Sequence, residues 1–329
     1  LVMALARIEW KVQERRATRD AAVAGISQQF AEAQQVAGPL LWLTCQESRG
    51  VTRLDDKQQP RIETETTDCS RAIRPMQLTG KGGLAVSERY RGIYKARVYL
   101  ASLRLEATFG PAELGLKSNQ NLTGAYWVFG VSDPRGIKRI VVRDGRGRPL
   151  EARPGTAGSP LPNGFHIPVG IELLEQQQRL TADVELAGSG RFDWVPVAEN
   201  NDFSLRSAWP HPAFSGRYLP DTREIDRAGF SARWRVNAFA ADGEQVLRQS
   251  AAAEPASYAG ERASYEAAAP ALSPRYSHGF GVSLIDPVDA YVQSDRAIRY
   301  GFLFVLLNRQ RSNLSLARFK LMEVEKSLV

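Results

Sequence analysis

The 329-residue sequence holds only two cysteines and three histidines, and each scarcity excludes a class of chemistry. Two cysteines are too few for a Cys-based zinc site, which needs more ligands at closer spacing. Cys45 and Cys69 are therefore either free and buried or joined in a single disulfide. Gly50, Asp55, Asp56 and Pro60 between them let the segment fold back, which predicts neighbouring strands. His166, His211 and His278 stand far apart, and no two share the spacing of a ligand pair. Neither a metal nor any other cofactor is expected. A complete signal peptide and an apolar run long enough to span a bilayer are also missing. The short apolar stretches at residues 1–6 and 300–307 read as ends of truncated spans.

Acidic charge is the scarcer sign, with 36 Asp and Glu against 43 Lys and Arg, a net charge of +7. That balance suits an anionic lipid surface or an anionic polymer. The basic residues are dispersed, so no nucleic-acid partner is expected. Catalytic signatures are lacking too. Gly80-Lys81-Gly82-Gly83 has neither the spacing nor the Ser or Thr of a phosphate loop, and Gly188-Ser189-Gly190 falls in an expected hairpin rather than at a strand-to-helix turn. Both read as turns. Asp133 before Pro134 at the end of an apolar run reads as turn chemistry rather than catalysis.

What is present is one helical stretch followed by β patterning. Residues 1–36 lack proline and are dense in Ala, Gln, Glu and Arg, which predicts one long helix stopped by Gly38-Pro39. Its first turns, with Ile8 and Trp10, read as membrane-embedded or interfacial, and the rest as solvated. Beyond Pro39, short apolar runs alternate with Gly, Pro, Asn and Asp. Leu103, Leu105, Ala107 and Phe109 alternate with polar neighbours, so one face of that strand is expected in the core. Residues 140–150 carry Asp144-Gly145, a hairpin signal, and residues 180–197 read as a second hairpin turning at Gly188-Ser189-Gly190. With no helix long enough for a crossover, parallel pairing is not expected, and the fold class is mainly β, an antiparallel sandwich or roll. Residues 242–274, rich in Ala, Ser, Glu and Pro, are expected to be a mobile excursion. A short helix is expected from about Val288 into the apolar stretch. No internal repeat is found.

Trp209-Pro210-His211-Pro212 is the most distinctive local feature, because two prolines around one residue force an extended segment unsuited to a central strand. It is either an exposed aromatic recognition edge or a rigid structural corner whose Trp packs into the core.

The ordered pattern running from Ser207 through Trp209-Pro210-His211-Pro212-Ala213-Phe214-Ser215-Gly216, then Tyr218-Leu219-Pro220-Asp221-Thr222-Arg223-Glu224-Ile225 and Gly229-Phe230-Ser231-Ala232-Arg233-Trp234, resembles the CreD inner-membrane protein family. Flanking matches are Gly38-Pro39-Leu40-Leu41, Arg91-Gly92-Ile93-Tyr94, Ser132-Asp133-Pro134-Arg135-Gly136, His166-Ile167-Pro168 and Pro287-Val288-Asp289-Ala290-Tyr291. The likeness runs over about residues 12–307, and the sequence departs from the family pattern at Asn308. The resemblance implies one N-terminal span, a large periplasmic domain and further spans at the C-terminus. It divides the chain into a membrane-proximal helix (1–37), a periplasmic β-rich domain that could comprise two β subdomains (38–287), a helix entering a span (288–307) and a tail outside the family (308–329). It also implies a non-enzymatic role in envelope integrity in the bacterial inner membrane, with an unknown envelope component as partner. Two other readings stand beside it: a sensor of a small ligand or cell-wall fragment signalling through flanking spans, and a hydrolase of envelope polymers.

Overall fold

The computed structural model describes residues 2–54, 60–111, 117–240, 279–285 and 300. Contacts divide the chain into one unit of residues 1–23 with 286–329 and another of residues 24–285. Helix α1 (Val2–Phe30) starts in the first unit and ends in the second. Within the first unit, Met3, Ile8 and Trp10 are exposed, and Lys11 pairs with Glu14 one turn on at 2.7 Å. No helix among the described residues is long and apolar enough to cross a membrane. The expected excursion at 242–274 and the expected C-terminal helix and tail lie outside the described residues, apart from Tyr300.

The second unit is built from strands β1 (Gln34–Leu54), β2 (Pro60–Ile73), β3 (Gln77–Arg91), β4 (Tyr94–Phe109), β5 (Gln120–Val131), β6 (Ile137–Asp144), β7 (Pro149–Leu150), β8 (Arg153–Pro154), β9 (Gly164–Pro168), β10 (Gln178–Ser189), β11 (Arg191–Val195), β12 (Asn200–Ser207), β13 (Pro212–Gly216), β14 (Thr222–Asp226), β15 (Gly229–Asn237) and β16 (Phe280–Leu284). They form two eight-stranded sheets. The first runs β13-β16-β11-β1-β5-β9-β8 with β2 also paired to β1, and the second runs β14-β15-β12-β3-β4-β10-β6-β7. On β4, Leu103, Leu105, Ala107 and Phe109 are buried and the residues between them are not, as their alternation predicts. Leu180, Ala182, Val184 and Leu186 of β10 do the same. Side chains from the two sheets share one core: Trp194 of β11 stacks on Phe203 of β12 at 4.9 Å, and Phe280 of β16 tilts against Trp234 of β15 at 5.7 Å.

Several expectations are corrected. The helix ends at Phe30, not near Val36, because residues 34–37 pair with β11 and the main chain there is taken up by tertiary hydrogen bonds. Good helix propensity at Gln34 and Gln35 is overridden by packing. Gly38-Pro39 therefore does not stop a helix. It forms an irregularity inside β1, with Gly38 at φ +99° and a register shift against β5. Both sheets are mixed rather than antiparallel, since β1 pairs β11 and β3 pairs β12 in parallel. The long excursions of chain between these partners, built of strands from both sheets, replace the crossover helix. Residues 180–197 are not a hairpin: β10 belongs to the second sheet and β11 to the first, and Gly190, at φ +68°, turns the chain from one to the other. The hairpin at 137–150 is present, but the residue with positive φ is Gly147 (+79°) rather than Gly145.

Gly80-Lys81-Gly82-Gly83 is strand interior, not a turn. A Cβ on Gly80 would lie 2.5 Å from the Phe203 ring, and one on Gly82 would lie 2.7 Å from Leu205, so these two glycines clear room for core side chains. Gly83 faces the opposite way into open space. Gly80→Val should lower the stability of this chain by about 2–3 kcal/mol through overpacking, whereas Gly83→Ala should change it little. Thermal denaturation of the two variants side by side checks the assigned strand facing.

Candidate functional site

The strongest concentration of buried polar groups lies where α1 gives way to β1. Seven polar residues are buried in the described chain, and Gln34, Gln35, Ser132, Asp133 and Asp193 gather here. The Glu32 amide donates to Asp133 Oδ2 at 3.0 Å, and the Gln35 amide donates to Ser132 Oγ at 2.9 Å. The Gln34 side-chain amide donates to the carbonyls of Asp133 and Ala187 at 2.9 and 3.0 Å, and its carbonyl accepts from the Asp133 amide. Tyr99 hydroxyl accepts from the Gln34 amide and donates to the Arg191 carbonyl at 2.6 Å. Burial holds this phenol well above its ordinary pKa, which keeps it a hydrogen-bond donor. Gln35 reaches Asp193, which also binds Arg191 at 2.7 Å. These bonds join the helix exit to β4 and β10 of one sheet, and to β11 and the residues just after β5 in the other.

Asp133 is the centre of this lock. As its position before Pro134 suggests, it caps a 3-10 turn (Pro134–Gly136), with its carboxylate accepting from the Arg135 amide. Arg135 adds two guanidinium contacts at 2.9 and 2.7 Å, and its remaining nitrogen donates to the Gln28 carbonyl in the last turn of α1. Burial alone pushes the Asp133 pKa up, but the bonds from Arg135 and the Glu32 amide outweigh it and leave the carboxyl below its ordinary 3.8. A lowered folded-state value means that the contribution of Asp133 to stability is present above the unfolded pKa and is lost as pH falls through the folded one.

The sequence-predicted residues occupy other places. Cys45 and Cys69 face one another in register on β1 and β2 and form a disulfide with Cα atoms 4.9 Å apart. The bond sits next to the β5 register shift at Thr44 and Cys45, and residues 48–54 of β1 pair with β2 but not with β5. It closes a loop of sequence separation 24 at the root of an exposed two-stranded arm. Loop-closure entropy for that size is worth about 3 kcal/mol. Trp209, Pro210 and His211 form the corner that carries the chain from β12 in the second sheet to β13 in the first, where Pro212 is the first residue. The Trp209 ring is half-buried against the core, donates through Nε1 to the His211 carbonyl at 3.1 Å, and lies under the Arg97 guanidinium at 4.6 Å. His166 Nδ1 sits 2.8 Å from the Gly155 carbonyl, and His278 lies outside the described residues. Among the described residues, no group of three or more His, Cys, Asp or Glu is placed to hold a metal ion.

An open groove of about 600 Å³ crosses one end of the outer face of the second sheet, with Gly83, Ser102, Arg206, Glu224, Asp226 and Ser231 in its lining. No sequence signal marks it, because its members come from β3, β4, β12, β14 and β15. Gln34 and Gln35 are equally silent, being embedded in helix-like text.

Asp133→Asn keeps the side-chain shape and removes the charge. Arg135 is more than half exposed and can return to water, so the expected cost at neutral pH is about 2–3 kcal/mol. The gap between this variant and the parent should narrow as pH drops below the ordinary 3.8 of Asp133. Denaturant titrations at pH 7 and at acid pH measure it.

The sequence model of the family described as "Inner membrane protein CreD" matches residues 1–326. The match includes residues 308–326, so the likeness does not stop at Asn308. "Inner membrane protein CreD" of Escherichia coli (strain K12) is 30% identical over 315 residues, 93% of this chain and 64% of the relative's own length. The chain thus spans just under two thirds of that relative. A likeness of this extent and identity establishes kinship, and the chain belongs to the CreD family of inner membrane proteins.

Proposed function

We propose that this chain supplies the periplasmic, β-rich domain of an inner membrane protein that contributes to cell envelope integrity by recognition and performs no turnover. The observation that carries the reading is the polar lock. Among the described residues the two buried carboxylates, Asp133 and Asp193, are both engaged in fastening the α1 exit to the sheets, through Arg135 and Glu32 in one case and Arg191 and Gln35 in the other. A catalytic carboxyl of perturbed pKa would instead face a cleft. The Cys45–Cys69 bond supports the periplasmic side, since disulfides persist in oxidising compartments. The family membership supports the inner membrane.

The sensor reading is favoured by one feature, the groove on the second sheet, which has a volume in the range of small-molecule sites. In that reading the lock would carry a change at the sheets to α1.

Two measurements test the proposal. Incubated with purified peptidoglycan or envelope peptides, the chain should release no soluble product above buffer. A product lost on a single substitution that leaves the melting temperature unchanged would replace recognition with hydrolysis. Protein taken from intact cells by alkylation without reductant should show no free thiol. Labelled Cys45 and Cys69 would move the domain to the reducing side.

A further inference from the structure

We infer that the groove on the outer face of the second sheet binds an amino acid or dipeptide that carries both a free carboxylate and a free ammonium group. This rests on reading the domain as a recognition module and names the chemistry of one ligand. The cross-strand register lays out a single row over the sheet: Glu224 on β14, Ser231 on β15, Arg206 on β12, Gly83 on β3, Ser102 on β4. Elsewhere on this face opposite charges neutralise one another directly, as in Arg104 with Asp183 at 2.7 Å, Arg143 with Asp183 at 2.8 Å, and Arg233 with Asp202. In the groove row they do not.

Glu224 and Arg206 are held two strands apart, about 10 Å between backbones, with Ser231 between them. The Ser231 hydroxyl is 3.5 Å from Glu224 Oε2, and among the described residues Arg206 makes no ion pair or hydrogen bond. Asp226 adds negative charge at the Glu224 end while its Oδ1 accepts from the amides of Ala228 and Gly229 in the β14–β15 turn. The groove therefore has an acidic end, a basic wall and a floor of small residues. A lone anion meets the two acids, and a lone cation leaves Arg206 unanswered. A ligand bearing both charges satisfies both ends, with its carboxylate forked on Arg206 and its ammonium at Glu224. Hydroxyls of Ser102 and Ser231 stand ready for its amide.

Gly83 makes the test clean, because a Cβ there meets nothing within 4 Å. A large side chain at 83 fills the groove without displacing the core, unlike one at Gly80 or Gly82. Binding to this chain is read by calorimetry and by amide chemical shifts with three probes: alanyl-alanine, N-acetyl-alanyl-alanine and alanyl-alanine amide. The free dipeptide should bind at least ten times more tightly than either blocked form. R206Q and E224Q should each weaken it at least tenfold, and G83W should abolish it, all with unchanged melting temperature. Shifts should centre on residues 83, 102, 206, 224 and 231. No binding of the free dipeptide, equal binding of a blocked form, or undiminished binding by G83W or by both charge variants would overturn the assignment. None of these results bears on turnover or thiol state, so the broader functional reading stands or falls separately.

Discussion

The hydrogen-bonded lock at the junction of α1 and β1 is the constraint on which the rest of the second unit depends. β1 is the strand with the most partners: β11 beside residues 34–37, β5 beside residues 36–47 and β2 beside residues 41–54. Where it begins decides the register of all three. Gln34 and Gln35 pin that beginning by using both main-chain and side-chain groups on partners from four segments of chain. Buried polar networks of this kind are costly when half satisfied and specific when complete. Here the carboxylate, amide and phenol groups answer one another, so the helix exit has one permitted geometry.

From that fixed start, β1 runs outward into an arm that leaves the sheet. An isolated two-stranded hairpin is marginal in water, and most of β2 is exposed. The Cys45–Cys69 bond sits at the register shift in the β1–β5 pairing, two residues before that pairing ends at Glu47, so the covalent link lies close to where β1 is left with β2 alone. On the other sheet the matching problem is space rather than support. Phe203, Trp194 and Leu205 crowd the interior, and glycines at 80 and 82 on the parallel neighbour β3 give them room.

The outer face of the second sheet follows a different rule. Arginines and carboxylates on neighbouring strands pair directly there, Arg104 and Arg143 with Asp183 and Arg233 with Asp202. The groove row departs from that rule by separating its charges with serine and glycine.

The sequence by itself determined the β character, the buried faces of β4 and β10, the turn role of Asp133 and the family, because each is written in local alternation, in turn chemistry or in an ordered pattern such as that around Trp209. Tertiary structure alone decided where α1 ends, that β1 and β3 take parallel partners, that β10 and β11 part into different sheets, and that the glycines at 80–83 are strand and not turn. The physical reason is common to all four. Parallel neighbours lie more than a hundred residues apart, and a glycine or glutamine looks the same in isolation whether its role is to turn, to continue a helix or to clear space for a distant aromatic ring. The lock and the groove are likewise assembled from segments that no local window contains.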